Sequence, residues 1–283
     1  MADRRWVLAL VSALTLAACG GSDNNAPPAG RSLSPSPTDT AGAEVSDSFD
    51  IGGGKHLYAQ CAGSGTPTVI FESGDEGNSN EWASVLPEVQ AHTRACAYDR
   101  LGTGASDPPP PKSCRQLADL RRDLEALLRA LGEDGPYVLV GTSGGGYLAA
   151  GFTEEHPKDV EGLVLVETHR AVILAEQSVA TRAEIDCHNS KNEERRDYAA
   201  VENAAWSKRR AIGDIPISVI TNRFSKQDAD NVDDLRNVAR QKGWLVSPQA
   251  KQVVVSSGHD VPNLEPDVVI AEVLRVLGAA RRA

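Results

Sequence analysis

The stretch Gly141-Thr142-Ser143-Gly144-Gly145 sets a serine hydroxyl between two glycines at G-x-S-x-G spacing. It follows the β-favouring run Tyr137 to Val140 and precedes Tyr147-Leu148-Ala149-Ala150, whose small and apolar residues suit a helix. A strand, a tight turn and a helix start would hold such a serine in a strained backbone conformation and lift its hydroxyl toward a substrate. The N–H of Gly144 then lies at a helix N-terminus, where a developing oxyanion is favoured. The chemistry indicated is nucleophilic attack on a carbonyl. It demands an imidazole to take the hydroxyl proton, a carboxylate to orient that imidazole and a second N–H donor for the oxyanion.

Six histidines compete for the role of base. His259 is the best situated, because Ser256-Ser257-Gly258-His259-Asp260 follows the last strand, Gln252 to Ser256, and precedes the last helix, Pro266 to Leu277. That puts it at the same edge of a parallel sheet as the serine turn. His56 falls on an early strand, His92 on a helix and His156 at a helix end before Pro157, while His169 and His188 border a polar segment. Asp260 adjoins the histidine but points the wrong way to orient its own neighbour.

The elements that must position these groups alternate along the chain. Phe49 to Ile51, the turn Gly52-Gly53-Gly54 and the run Lys55 to Cys61 read as a β-hairpin. Thr68 to Glu72 is a short buried strand running into Ser73-Gly74-Asp75-Glu76-Gly77. A helix carrying Trp82, Val85, Leu86 and Val89 and a strand from Arg94 to Tyr98 follow. Between Cys114 and Leu131 the leucines recur at helical spacing, and Gly132 is a natural stop. Gly162 to Val166 is a continuously apolar strand. Residues 168–213 are polar, charged and weakly helical; then come a strand at Ile215 to Thr221 and a helix from Asp228 to Gly243. Strands alternating with helices, several of them apolar throughout, indicate a mainly parallel sheet covered on both faces.

The 283 residues carry a formal charge of −10 with basic residues scattered, which argues against nucleic acid as a partner. Arg4-Arg5 and the apolar run Trp6 to Ala18 match a signal peptide and are too short for a good membrane span. Leu16-Ala17-Ala18-Cys19 resembles the bacterial lipobox, which implies cleavage after residue 18 and membrane lipid attached to Cys19. Residues 19–46 are then a lipidated cysteine and a Gly, Ser, Pro and Asn-rich tether with too little apolar surface to order itself, and residues 47–283 are the folded domain. With Cys19 taken by lipid, Cys61, Cys96, Cys114 and Cys187 form an even set in an oxidising compartment, consistent with two disulfides in any of three pairings.

The elbow at Ser143, the later His259 and the run Tyr98-Asp99-Arg100-Leu101-Gly102-Thr103-Gly104-Ala105-Ser106, which resembles a Y-D-R-x-G-x-G-x-S loop, together look like the α/β-hydrolase fold superfamily over about residues 49–281. Thr142 stands where many relatives carry histidine. The resemblance implies a mostly parallel eight-stranded sheet with helices on both faces and a small cap insertion at about 168–213. It implies an oxyanion hole from the N–H groups of Gly144 and Asp75, with Ser73-Gly74 in place of the usual His-Gly; the anionic side chain of Asp75 would then have to turn outward. In such folds the acid follows either of two strands. Glu167 occupies the first position and is preferred, with Asp228 and then Asp230 near the second. The same topology implies Cys61 paired with Cys96, which leaves Cys114 for Cys187. The expected activity is that of an exported, lipid-anchored serine hydrolase acting on a small-molecule carboxylic ester. Amide or peptide hydrolysis, acyl transfer and non-catalytic binding at the cell surface are the alternatives. Epoxide hydrolases and dehalogenases need an aspartate at the elbow, which Ser143 replaces. No metal or cofactor is implied, because the sequence shows neither a histidine-carboxylate cluster at ligand spacing nor a phosphate-binding loop after the first strand.

Overall fold

The computed structural model describes residues 43–169, 186–189, 191–223 and 232–283. The signal segment, Cys19 and almost all of the tether, like Asp228 and Asp230, lie outside the described residues. Eight strands form one sheet in the order β1-β2-β4-β3-β5-β6-β7-β8. They are β1 (Val45–Asp50), β2 (His56–Ala62), β3 (Thr68–Glu72), β4 (Ala95–Tyr98), β5 (Tyr137–Thr142), β6 (Val160–Val166), β7 (Ile217–Asn222) and β8 (Ala250–Val255). β1 and β2 pair antiparallel, as do β2 and β4, and the remaining pairs are parallel.

Every residue of β3, β5 and β7 is buried, as a sheet covered on both faces requires. Because side chains alternate along a strand, each central strand feeds two cores. Val138, Val140, Val164 and Val166 join one, with α1 (Leu86–Gln90) and Trp82. Leu139, Leu163 and Leu165 join the other, with α2 (Leu117–Leu131), α3 (Ser143–Glu155) and α4 (Tyr198–Lys208). α5 (Val232–Gln241) and the short turn α6 (Val261–Leu264) follow, and α7 (Pro266–Ala280) brings Val269, Val273 and Val276 to the first core. Truncating a fully buried leucine such as Leu139 to alanine costs about 2–5 kcal/mol.

Element boundaries differ from the sequence reading at several places, by one to four residues at most ends. β1 starts at Val45, two residues inside the expected tether, because Val45 and Phe49 pack at the rim of the second core. The helix expected through Trp82 to Val89 is a 3-10 turn, Ser79–Trp82, and then α1, which carries Pro87 in its first turn. α2 starts at Leu117 rather than Cys114, since Gln116 is extended and caps the helix. Both disulfides join the expected cysteines. Cys61 faces Cys96 across the β2–β4 pair with Cα atoms 4.1 Å apart, and Cys114 bonds Cys187 at 5.2 Å. Among the described residues no helix is long and apolar enough to cross a membrane.

Candidate active site

The C-terminal edge of the parallel strands gathers the groups singled out from the sequence. Asp75 follows β3, Ser143 follows β5, Glu167 follows β6 and His259 follows β8. Ser143 opens α3 with φ +47°, a left-handed conformation that costs a non-glycine residue on the order of 1–3 kcal/mol. Tight packing of α3 against the end of β3 enforces it. A Cβ on Gly145 would collide with the carbonyl oxygens of Ser73 and Glu72, so only glycine permits this approach.

Glu167 is fully buried and also has positive φ, at +49°. Its Oε1 accepts hydrogen bonds from the Asn222 N–H and from Gln241 Nε2, the latter at 2.9 Å. Its Oε2 lies 3.3 Å from His259 Nδ1. Two neutral donors hold this carboxylate in place for the imidazole. The carboxylate fixes the Nδ1–H tautomer and leaves Nε2 bare to receive a proton. The hydrogen bond to Glu167 raises the His259 pKa above its ordinary value, against the opposing effect of partial burial. Asn222, at the end of β7, also fixes the histidine loop, its Oδ1 accepting from Ser257 N at 2.9 Å and Gly258 N at 3.0 Å. Among the described residues no hydrogen bond joins Ser143 Oγ to the imidazole, and the His259 side chain is 51% exposed. The site is therefore ordered around Glu167 and open beside Ser143.

The loop after β3 is fastened by charge. Gly74 N donates to Glu81 Oε2 at 2.7 Å, Glu76 N to Glu194 Oε1 at 2.9 Å and Gly77 N to Gly74 O at 3.1 Å. The buried Arg100 donates to Ser73 O and Gly74 O at 2.7 and 2.6 Å, and to both oxygens of Glu194. Neither the Asp75 N–H nor that of Gly144, in the first turn of α3, is spent on a protein acceptor among the described residues. The Asp75 carboxylate is not turned outward as the sequence reading required. It is paired with the fully buried Arg196, which also stacks over Tyr198 at 4.5 Å. This ion pair fills the space a side chain on Gly144 would need, so a Cβ there would strike both partners.

Burial alone would raise the Glu194 pKa, but the charges and hydrogen bonds of Arg100 and the charge of Arg196 overcome it and hold the group at about 2. Glu72, at the end of β3, is different. Burial dominates and pushes it up to about 7, although Arg100 and the Tyr98 hydroxyl, which donates to Oε1 at 2.6 Å, pull it down.

Sequence reasoning missed Asn222, Gln241, Glu194, Arg196 and His169. Asn222 had a visible signal, since it ends a strand where the second possible acid would have stood. His169 was set aside as bordering a polar segment, yet its ring stacks on His259 with centroids 5.7 Å apart and its Nε2 lies 3.7 Å from Glu167 Oε2. Burial lowers the His169 pKa despite the nearby carboxylate. The sequence shows no histidine-carboxylate cluster at ligand spacing, but the fold brings three such side chains together. Glu167, His169 and His259 each offer one ligand atom, all within 4.8 Å of one another. The third member comes from β8, ninety residues beyond the second, so spacing could not reveal it. Cys114, Cys187 and His188 also converge, but their sulfurs are consumed by the disulfide. A cavity of about 820 Å³ beside Lys55 and Pro108 to Pro111 is lined by none of these groups.

The sequence matches the alpha/beta hydrolase fold family over residues 67–210. The uncharacterized protein YqjL of Bacillus subtilis is 26% identical over 234 residues, 77% of this chain and 86% of its own length. A 2-hydroxy-6-oxo-6-(2'-aminophenyl)hexa-2,4-dienoic acid hydrolase of Metapseudomonas resinovorans is 31% identical over 134 residues, 46% of this chain and 45% of that protein. A thermophilic esterase from Thermogutta terrifontis superposes with TM-score 0.64 at 19% identity, covering 84% of this chain and 99% of that one. The enol-lactonase of Burkholderia xenovorans superposes with TM-score 0.63 at 15% identity over 81% of this chain and 99% of that one. At such identities the solved structures carry the fold alone.

Proposed function

The chain belongs to the alpha/beta hydrolase fold family, and on that premise we propose that this hydrolase is an exported, lipid-anchored serine enzyme cleaving small carboxylic esters through an acyl-enzyme on Ser143. The carrying observation is the buried Glu167 carboxylate 3.3 Å from His259 Nδ1, on the sheet edge where Ser143 sits at φ +47°. His259 Nε2 takes the Ser143 proton as Oγ attacks the carbonyl carbon. The N–H groups of Gly144 and Asp75 hold the resulting oxyanion. His259 then returns the proton to the departing alcohol, and the same imidazole activates water to release the acid. The reading requires the imidazole to close on Ser143 Oγ when substrate is bound.

Polar and charged composition in residues 168–213, taken as a cap, favours short or polar acyl groups over long-chain lipid. Two disulfides support an oxidising compartment, and the Cys19 lipobox supports the anchor. A fluorophosphonate probe tests the nucleophile. The wild-type protein is expected to be labelled and Ser143→Ala to stay unlabelled, whereas persistent labelling of Ser143→Ala overturns the reading. For the anchor, Cys19→Ala should move the protein from the detergent phase to the soluble fraction.

A further inference from the structure

Beside the pair Glu167 and His259 stands an imidazole that the proposed hydrolysis does not use. The hydrogen-bond pattern fixes its proton. Asn237 Nδ2 donates to Asn222 O at 3.1 Å, which turns Asn237 Oδ1 toward His169 Nδ1 at 2.6 Å. An amide oxygen only accepts, so Nδ1 carries the proton and Nε2 presents a lone pair. That lone pair faces Glu167 Oε2 across 3.7 Å with no donor between them among the described residues. Glu167 Oε1 is already committed to Asn222 N and Gln241 Nε2, so Oε2 cannot turn away without leaving them. Two electron-rich atoms held face to face call for a cation between them.

We propose that Glu167 Oε2, His169 Nε2 and His259 Nδ1 form a binding site for a zinc-like divalent cation, and that occupancy switches the hydrolase off. Tetrahedral zinc with bonds near 2.0–2.1 Å sets its ligand atoms about 3.3–3.5 Å apart. Glu167 Oε2 lies 3.3 Å from one imidazole nitrogen and 3.7 Å from the other. The two rings need only a small approach, since all three atoms already lie within 4.8 Å. Two imidazoles and one carboxylate suit zinc over magnesium or calcium, and water would take the fourth position. The outer partners are of the kind that orient metal ligands: Asn237 holds the far nitrogen of His169, and Asn222 and Gln241 hold the far oxygen of Glu167. Entry is open, with the His169 and His259 side chains 32% and 51% exposed.

Inhibition follows from proton bookkeeping. The metal takes the Nδ1 lone pair of His259, so the single proton of the neutral ring moves to Nε2. A protonated Nε2 cannot accept the Ser143 proton. The cation also occupies the carboxylate oxygen that would have stabilised the imidazolium.

This inference rests on the proposed hydrolase mechanism for its consequence but not for its site, so binding is measured separately. Full-length Ser143→Ala protein in detergent, stripped with chelator, is titrated with zinc by equilibrium dialysis and with cobalt by visible absorption. One zinc per chain and a cobalt d–d band, both lost in the Ser143→Ala/His169→Ala protein, are the expected results. Asn237→Ala, which leaves the three ligands in place, should weaken zinc binding about 10–100-fold. In the protein with Ser143 intact, zinc should block fluorophosphonate labelling reversibly. No bound zinc, or equal binding with His169 replaced in a variant of unchanged circular dichroism, overturns the site. Zinc binding without loss of labelling overturns the switch. Binding in a protein that proves not to hydrolyse esters keeps the site and discards only the ester reading.

Discussion

The two flanks of Ser143 are held in place by different physics. On the acid flank, Glu167 is a buried carboxylate whose supports among the described residues, Asn222 and Gln241, are neutral. On the oxyanion flank, Asp75, Glu194, Arg100 and Arg196 interlock as alternating charges around the loop after β3. The neutral scaffold fixes the Glu167 carboxylate toward His259, and their hydrogen bond raises the histidine's proton affinity. The ionic scaffold cancels itself, so under the proposed mechanism an anionic Asp75 could border the oxyanion without opposing the charge that would develop there. One flank concentrates a field and the other removes one.

The severest test of this contrast is Glu167→Gln. Glutamine keeps an oxygen for Asn222 and Gln241 but loses the charge, so kcat should fall about 10³–10⁴-fold with little change in melting temperature. Near-wild-type turnover in a steady-state ester assay would remove Glu167 from the triad. On the other flank Arg196→Met should do the reverse in kind. It strips a buried cation from Asp75 and costs about 3–5 kcal/mol of stability by denaturant titration, so a loss of activity without destabilisation would contradict the ionic account.

The pH profile separates the flanks further. His259 must be neutral to accept a proton, and its pKa is raised, so activity should climb with pH through a midpoint above 6.5 and fall back toward that value in Glu167→Gln. Stability should report the oxyanion flank instead. Glu194 is held at about 2, below an unfolded value near 4.3, so its contribution is complete above the unfolded value and is lost as pH falls toward 2. Acid unfolding followed by circular dichroism should shift upward in pH in Arg100→Met. The smallest expected effect is that of Asn222→Ala, which leaves Ser257 N and Gly258 N without their acceptor and should cost about 1–3 kcal/mol with a modest loss of kcat.

The acid flank was largely legible in the chain. Val160–Val166 is an apolar strand, and Glu167 is the first carboxylate after it, so period and position sufficed. What stayed open was the choice between two strand ends. Those are equivalent in one dimension; Asn222 and Gln241 converge on the first, while Asp228 and Asp230 lie outside the described residues. The oxyanion flank was half legible. Gly144 follows from the turn it occupies and Asp75 from the family resemblance, but Arg196 and Glu194 sit in a stretch that reads only as polar, charged and weakly helical. Both are in fact fully buried, because each meets an opposite charge from a distant loop. His169 was unreadable for a related reason. Its stacking on His259 and its approach to Glu167 depend on β6 and β8 flanking β7 in the sheet.

The sheet order also sets a schedule. The proposed nucleophile follows a central strand, whereas the proposed base follows β8, the outermost strand of the parallel edge and the last to be synthesised. A chain emerging from its N-terminus can fold the elbow around Ser143 well before the imidazole exists to activate it. Under the proposed mechanism the serine stays an ordinary alcohol until β8 docks on β7, so the unfinished protein carries no reactive group past the machinery that makes it.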